Sequence, residues 1–314
     1  MEMTITCGVP QGSILGPLFF LLYINDIANV SKVLFSILFA DDSNAFLTGK
    51  NIYSMVEIMN CELAKLVLWL KSNRLSLNIK KTKFMVFSNR PLMLDDLIVT
   101  ICNERIEQVT YIKFLGVIID SKLTWEFHIK YVKGKISKAI GLLCKVRRYL
   151  TKSCLVTLYY TFLFPYLNYC IEVFGSAAQY HINSLVVLQK RAVMVITSSK
   201  FREHTAPLFK DLKLLTLQQL YLYRIGLFMF KVHHNKVPDV CQSIFVTNAN
   251  VHSYNTRRRN HLHVPIANSV CLSKCIRIKG VKIWNKIMDS IDVQCSIACF
   301  KHKLRNFLPM LIDT

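Results

Sequence analysis

Acidic side chains are scarce in this sequence: nineteen Asp and Glu stand against forty Lys and Arg, a formal charge of +21. That excess attracts polyanions, and nucleic acid or an anionic membrane surface are the usual partners. Charged residues of both signs are few, 19% of 314 against 52% hydrophobic, which excludes a disordered tail and implies a large core. Repeats, low-complexity tracts and long linkers are also missing. A membrane span is missing too. Ser153 to Ile171 is free of charge, but Ser153, Thr157, Thr161, Pro165 and Asn168 within it fit a buried or bent helix better. Ile14 to Ile24 lacks the basic flank of a signal peptide, with Glu2 in its place. Cysteine is plentiful, yet a disulfide framework is not indicated: the eleven are odd in number and scattered from Cys7 to Cys299. Reduced, mostly buried thiols follow, hence an intracellular protein of nucleus or cytoplasm, with no membrane and no disulfide-linked partner.

What is present reads as α+β. Leu15 to Ile27 is an apolar helix candidate, after a Gly/Pro turn at Gly8 to Ser13. Two β runs, Val33 to Phe39 and Asn44 to Leu47, are joined at Asp41-Asp42 as a hairpin with two acids at its tip. From Ile52 to Leu70 apolar residues recur at helical spacing. Leu75 to Ser88 alternates like a strand, and Tyr111 to Ile119 is a β run broken by Gly116. After Trp125 the texture turns helical: Ile129 to Leu150, Cys154 to Phe174, Ile182 to Thr197, Leu214 to Val232, Gly280 to Ser290 and Ile297 to Leu311.

Adjacent aspartates at a tight turn can both approach one cation. Hard divalent ions take carboxylate and phosphate oxygens, and two such ions can clamp a phosphoryl transfer. Taken alone, Asp-Asp-Ser-Asn also suits a solvated turn. The order of segments decides between them. Gly8-Val9-Pro10-Gln11-Gly12-Ser13, then Phe39-Ala40-Asp41-Asp42, then Asn78-Ile79-Lys80-Lys81-Thr82, then Phe114-Leu115-Gly116-Val117 follow one another. This series resembles the palm of non-LTR, LINE-type retrotransposon reverse transcriptases, of the Jockey-like group. The resemblance runs over roughly residues 3 to 175 and more loosely to the C-terminus.

The resemblance implies an RNA-directed DNA polymerase fold. A partial right-hand palm, an antiparallel sheet with packed helices, would cover 1–128. A helical thumb over 129–210 and a basic helical C-terminal region over 211–314 would follow. It implies Asp41 as a Mg²⁺ ligand and Asp42 as a second or supporting one. Pro10, Gln11, Gly12 and Phe39 would line the nucleotide and template pocket, and Lys81 would sit near the triphosphate as charge stabiliser or proton donor. Leu115 and Gly116 would grip the primer. The substrates would be an RNA template, a DNA primer and deoxynucleoside triphosphates. For Lys81 a solvated lysine, and for Gly116 a plain β-bulge, remain open. The family carries a further aspartate on a palm strand ahead of the Gly-Val-Pro-Gln loop, where only seven residues precede Gly8 here. The two-metal site is therefore expected to be incomplete, and the chain alone to show little or no polymerase activity.

Between Lys130 and Lys152 stand eight basic residues and no acid. Ile129, Val132, Ile136, Ile140, Leu143, Val146 and Leu150 cluster on one helix face. Lys130, Lys133, Lys138, Lys145, Arg148 and Lys152 fall on the other, a stripe suited to backbone phosphates or simply to solvent. Arg257-Arg258-Arg259 with His261 and His263 form a second basic cluster, either a nucleic-acid contact or an exposed loop. Cys271, Cys275, Cys295, Cys299 and His302 sit at helix-face spacing, which argues against a zinc knuckle. Two further readings stay in play: a non-catalytic nucleic-acid-binding remnant, and a group II intron maturase-like protein with a different thumb.

Overall fold

The structure, a computed structural model, describes residues 12–88, 97–200, 203–251 and 257–312. The chain is α+β and divides into two compact units, Met1–Thr110 and Tyr111–Thr314.

In the first unit α1 (Leu15–Ile24) leads through a 3-10 turn (Asn25–Asn29) to the hairpin β1 (Phe35–Phe39) and β2 (Asp42–Phe46). The long α2 (Ile52–Ser72) follows, capped by Asn51, whose side chain accepts the Tyr53 N–H at 2.9 Å. Short strands complete the unit: β3 (Lys83–Phe84) pairs in parallel with β6 (Glu107–Gln108), and β4 (Thr100–Ile101) pairs antiparallel with β5 (Glu104–Arg105). Val56, Met59, Leu63 and Val67 of α2, spaced three or four apart, pack on buried Val99, Ile101 and Ile106. The Asn60 amide fastens this contact, donating to the Ile98 carbonyl at 3.1 Å and accepting the Thr100 N–H at 2.9 Å. Elsewhere the unit leaves apolar surface open. Leu15, Leu18, Phe19, Leu21 and Leu22 of α1 and Phe35, Ile37 and Phe39 of β1 are exposed.

The second unit opens with the hairpin β7 (Tyr111–Phe114) and β8 (Val117–Asp120), then becomes helical. Its helices are α3 (Glu126–Val146), α4 (Lys152–Phe162), α5 (Phe164–Asn168), α6 (Ile171–Phe174), α7 (Gln179–Thr197), α8 (Thr205–Asp211) and α9 (Leu217–His233). They continue with α10 (Asp239–Gln242), α11 (Asn248–Val251), α12 (Val270–Lys274), a π-helical turn (Ile276–Gly280), α13 (Val281–Ser290) and α14 (Ile297–Ile312). One contiguous core joins them, with Tyr159, Phe174, Phe230, Trp284 and Phe300 fully buried at its centre. The buried Gln189 satisfies three polar groups inside it. Its amide nitrogen donates to Tyr159 Oη and to the Leu215 carbonyl, each at 2.9 Å, and its oxygen accepts the Leu217 N–H at 2.8 Å. Burial pushes the Tyr159 phenol up to about 12.

Several expectations need correction. Leu75 to Ser88 is not a strand beyond Lys83–Phe84, because Asn78 caps a 3-10 turn at Ile79–Lys81. The expected helix Cys154 to Phe174 is three pieces. It breaks at Leu163, ahead of Pro165, which cannot donate a backbone hydrogen bond, and again at Cys170, which takes a left-handed φ of 54°. β2 starts two residues earlier than expected, so Asp42 lies in the strand and the turn is Ala40-Asp41. The sequence patterns do not mark strands β4 to β6 or helices α8, α10, α11 and α12, and the thiols expected to be mostly buried are exposed or half-buried at every described cysteine. Among the described residues no helix is long and apolar enough to cross a membrane.

Candidate active site and nucleic-acid interface

The β1–β2 pairing sets the geometry of the acidic hairpin. Phe39 pairs with Asp42 and Phe35 with Phe46, so Ala40 and Asp41 form a two-residue turn. Such turns need positive φ, and Ala40 supplies it at 50° without being glycine. Strand alternation puts Asp42 on the same face as its partner Phe39, with Ile37 and Phe35 further along. Both carboxylates are exposed, and neither has an ion pair or hydrogen bond from any described residue. The structure therefore brings together Phe39, Asp41 and Asp42 at one hairpin end.

Two free carboxylates suit a hard divalent cation that completes its shell with water and nucleotide phosphates. A pair of cations would need more oxygen donors than these. Among the described residues no group of three His, Cys, Asp or Glu could hold a metal, at this hairpin or at Cys271, Cys275, Cys295 and Cys299.

Lys81 lies in a separate, self-supporting turn. The Asn78 side chain accepts the Lys81 N–H at 3.2 Å, and the Thr82 hydroxyl donates to the Asn78 carbonyl at 3.0 Å. These bonds account for Asn78 and Thr82 as structural parts and leave Lys81 exposed, with no ion pair to Asp41 or Asp42. Gly12 is exposed at a positive φ of 88°, and a Cβ there would meet nothing within 4 Å. Pro10 and Gln11 lie outside the described residues.

Leu115 and Gly116 form the tip of the β7–β8 hairpin, both at positive φ, 45° and 85°. This is a two-residue turn and not a bulge. Tyr169, placed by the break between α5 and α6, donates its hydroxyl to the Leu115 carbonyl at 2.6 Å. A Cβ on Gly116 would come within 3.2 Å of the Tyr169 ring. Gly116→Ala should therefore cost about 1 kcal/mol from its φ alone. Tyr169→Gly combined with it should recover the crowding part and not the backbone part, as chemical unfolding of the single and double variants would read.

The hairpin is fixed equally firmly to the start of α3. His128 Nδ1 accepts the Ile118 N–H at 3.3 Å, and Tyr111 stacks on Phe127 with centroids 4.5 Å apart. Asp120 is buried and caps the connection: its carboxylate accepts N–H groups from Lys122 at 3.2 Å, Thr124 at 2.9 Å and Trp125 at 2.8 Å. The following helix buries Ile129, Val132, Ile136, Ala139, Ile140 and Leu143. Lys130, Lys133, Lys138, Lys145, Arg148 and Lys152 are all exposed and make no ion pair with a described residue. Leu150, expected on the apolar face, lies past the helix end and is exposed, and of the expected basic face Arg148 and Lys152 also lie past it, Lys152 as the first residue of α4. Sequence reasoning missed Tyr169 and Asp120; Asp120 alone had a local signal, an acid two to five residues ahead of the donors it caps.

Residues 1–119 match the family model "Reverse transcriptase (RNA-dependent DNA polymerase)". The chain is 26% identical over 279 residues to the RNA-directed DNA polymerase from mobile element jockey of Drosophila melanogaster, covering 82% of this chain and 30% of that protein. It is 29% identical over 220 residues to the polymerase of the same name from Drosophila funebris, covering 67% of this chain and 24% of that protein. To the probable RNA-directed DNA polymerase from transposon X-element of Drosophila melanogaster it is 27% identical over 229 residues, covering 69% of this chain and 24% of that protein. The chain thus spans less than a third of the length of these curated relatives. No solved structure matches. The hairpin carrying Phe39, Asp41 and Asp42 falls inside the matched segment, which is similar to reverse transcriptases, and the chain is similar over most of its length to RNA-directed DNA polymerases of mobile elements.

Proposed function

We propose that this chain supplies working parts of an RNA-directed DNA polymerase that extends a DNA primer on an RNA template. The observation that carries the reading is the free, exposed pair Asp41 and Asp42 at the end of a tight hairpin, inside the matched domain. In this reading 1–128 is palm, 129–210 thumb and 211–314 a basic C-terminal region. Asp41 and Asp42 hold Mg²⁺ against the triphosphate, and the ion when bound offsets charge that develops on the phosphate oxygens. Phe39, beside Asp42, packs on the incoming nucleotide together with Pro10, Gln11 and Gly12. Lys81 faces the triphosphate and offsets its charge. The Leu115-Gly116 turn supports the primer strand, held there by Tyr169, and the α3 stripe follows the duplex backbone through phosphate contacts.

A second reading, a nucleic-acid-binding protein without polymerase activity of its own, is favoured by the two-carboxylate donor set. One experiment addresses both. The chain alone should bind a primed RNA template in a salt-sensitive way, ignore Asp41→Asn, and extend no primer. A chimera in which the chain replaces the matching segment of the jockey polymerase should extend it, and Asp41→Asn should slow that chimera roughly 10³-fold, the scale of several kcal/mol of lost charge stabilisation. Equal extension by chimera and variant would sink the polymerase reading.

A further inference from the structure

The cluster Arg257-Arg258-Arg259 belongs to neither the acidic hairpin nor the α3 stripe, and the structure shows it as a built turn. Two neighbours hold its backbone. Asn248 donates its side-chain amide to the Arg258 carbonyl at 2.9 Å, and the Ala249 N–H reaches the Arg259 carbonyl at 3.0 Å. On the exit side Asn285 of α13 grips Leu262 by both main-chain groups, accepting its N–H at 3.1 Å and donating to its carbonyl at 2.9 Å. His261 Nε2 lies 3.2 Å from Asp289 of the same helix.

The guanidinium groups do nothing for this anchoring. All three arginines are exposed, and none has an ion pair with a described residue. Consecutive like charges on a fixed backbone repel one another, so the fold gains nothing by carrying them. Lys282 and Lys286, also exposed, stand on the side of α13 next to Asn285, and the one acid there, Asp289, is engaged by His261. The apolar side of α13, with Val281, Ile283, Trp284 and Ile287, is buried. Among the described residues, neither 257–260 of the turn nor Lys282, Asn285, Lys286 and Asp289 of this outer helix face offers an apolar side chain for insertion into a lipid surface. Planar guanidinium groups match phosphate oxygens two at a time.

We propose that Arg257, Arg258 and Arg259, with Lys282 and Lys286, form a second nucleic-acid-backbone site, separate from the α3 stripe, that grips consecutive phosphates of an RNA or DNA strand. The site reads no sequence and adds affinity and salt dependence. It acts on a strand whether or not the acidic hairpin is engaged.

The test is salt-dependent binding of the full chain to fluorescent single-stranded RNA and DNA oligonucleotides, with vesicles of phosphatidylserine and phosphatidylcholine as a further arm. Changing the three arginines to Gln should flatten the log–log salt dependence by about 2 and weaken binding about tenfold or more at 0.1 M salt. The triple Lys variant, with the same charge, should stay near the parent. Lys130→Gln/Lys133→Gln/Lys138→Gln should add its own loss to that of the Gln triple. Unchanged RNA and DNA binding by the Gln triple, an equal loss in the Lys triple, or a loss confined to vesicles overturns the proposal.

Discussion

Trp284→Ala is expected to destabilise the helical unit by about 3–5 kcal/mol, a large share of what a domain possesses. The indole is fully buried where α9, α13 and α14 meet, 5.5 Å from the His233 ring and 6.0 Å from Phe300, centroid to centroid. Two of the neighbouring rings are already engaged with each other: Phe230 and Phe300 are stacked at 4.3 Å. The indole Nε1 has no hydrogen-bond partner among the described residues, so the side chain contributes through volume and not through its polar atom. Trp284→Phe should accordingly cost less than about 1.5 kcal/mol, since it keeps a ring and removes an unsatisfied donor. Urea unfolding followed by helical circular dichroism gives both numbers. An alanine variant within about 1 kcal/mol of the parent would show that this core is not as closely packed as described.

The second large effect concerns acid. Burial holds the His128 imidazole down to about 4, against an ordinary value of 6.5. Geometry agrees with a neutral ring: Nδ1 accepts the Ile118 N–H, which a protonated imidazole could not do. An unfolded chain takes up a proton at this histidine near pH 6.5 and the folded one only near 4. The folded state therefore binds fewer protons across that window and loses stability as pH falls through it. The loss should be on the order of 2 kcal/mol between pH 7 and pH 4, discounted for partial solvent screening. His128→Leu should remove the His128 share of that dependence, leaving the share of His233, whose imidazole burial also holds down, and the carboxylate contribution at lower pH. Parallel profiles for parent and variant would refute the assignment. Because His128 ties α3 to β8, the same titration should loosen the Leu115-Gly116 hairpin first.

Local pattern made much of this molecule legible. The acidic hairpin was readable because a run of β-formers stops at two aspartates, and α2 and α3 because their apolar residues recur with helical period. Elsewhere the local signal misled. Leu75, Leu77 and Ile79 alternate as a strand would, yet Asn78 captures the backbone with its own side chain. The β4–β5 hairpin turns through Cys102 and Asn103, at φ 52° and 64°, without the glycine that usually marks such a turn. Within the site, Phe39, Asp41 and Asp42 come together because they are neighbours in one hairpin. Tyr169 was invisible for the opposite reason: its partner Leu115 lies 54 residues away. The sequence marks Gly280 to Ser290 as a helix and assigns it no role. The structure gives it two, since Trp284 fills the core and Asn285 holds the arginine turn.

The hairpin tip with Gly116 has a mechanical consequence. Through His128, Asp120 and Tyr169 it is bolted to α3 and to the α5–α6 break, so it is part of the helical unit's own framework. Within that unit the tip and the lysine row of α3 form one stiff lever. A load applied at either end would reach the other without play between them.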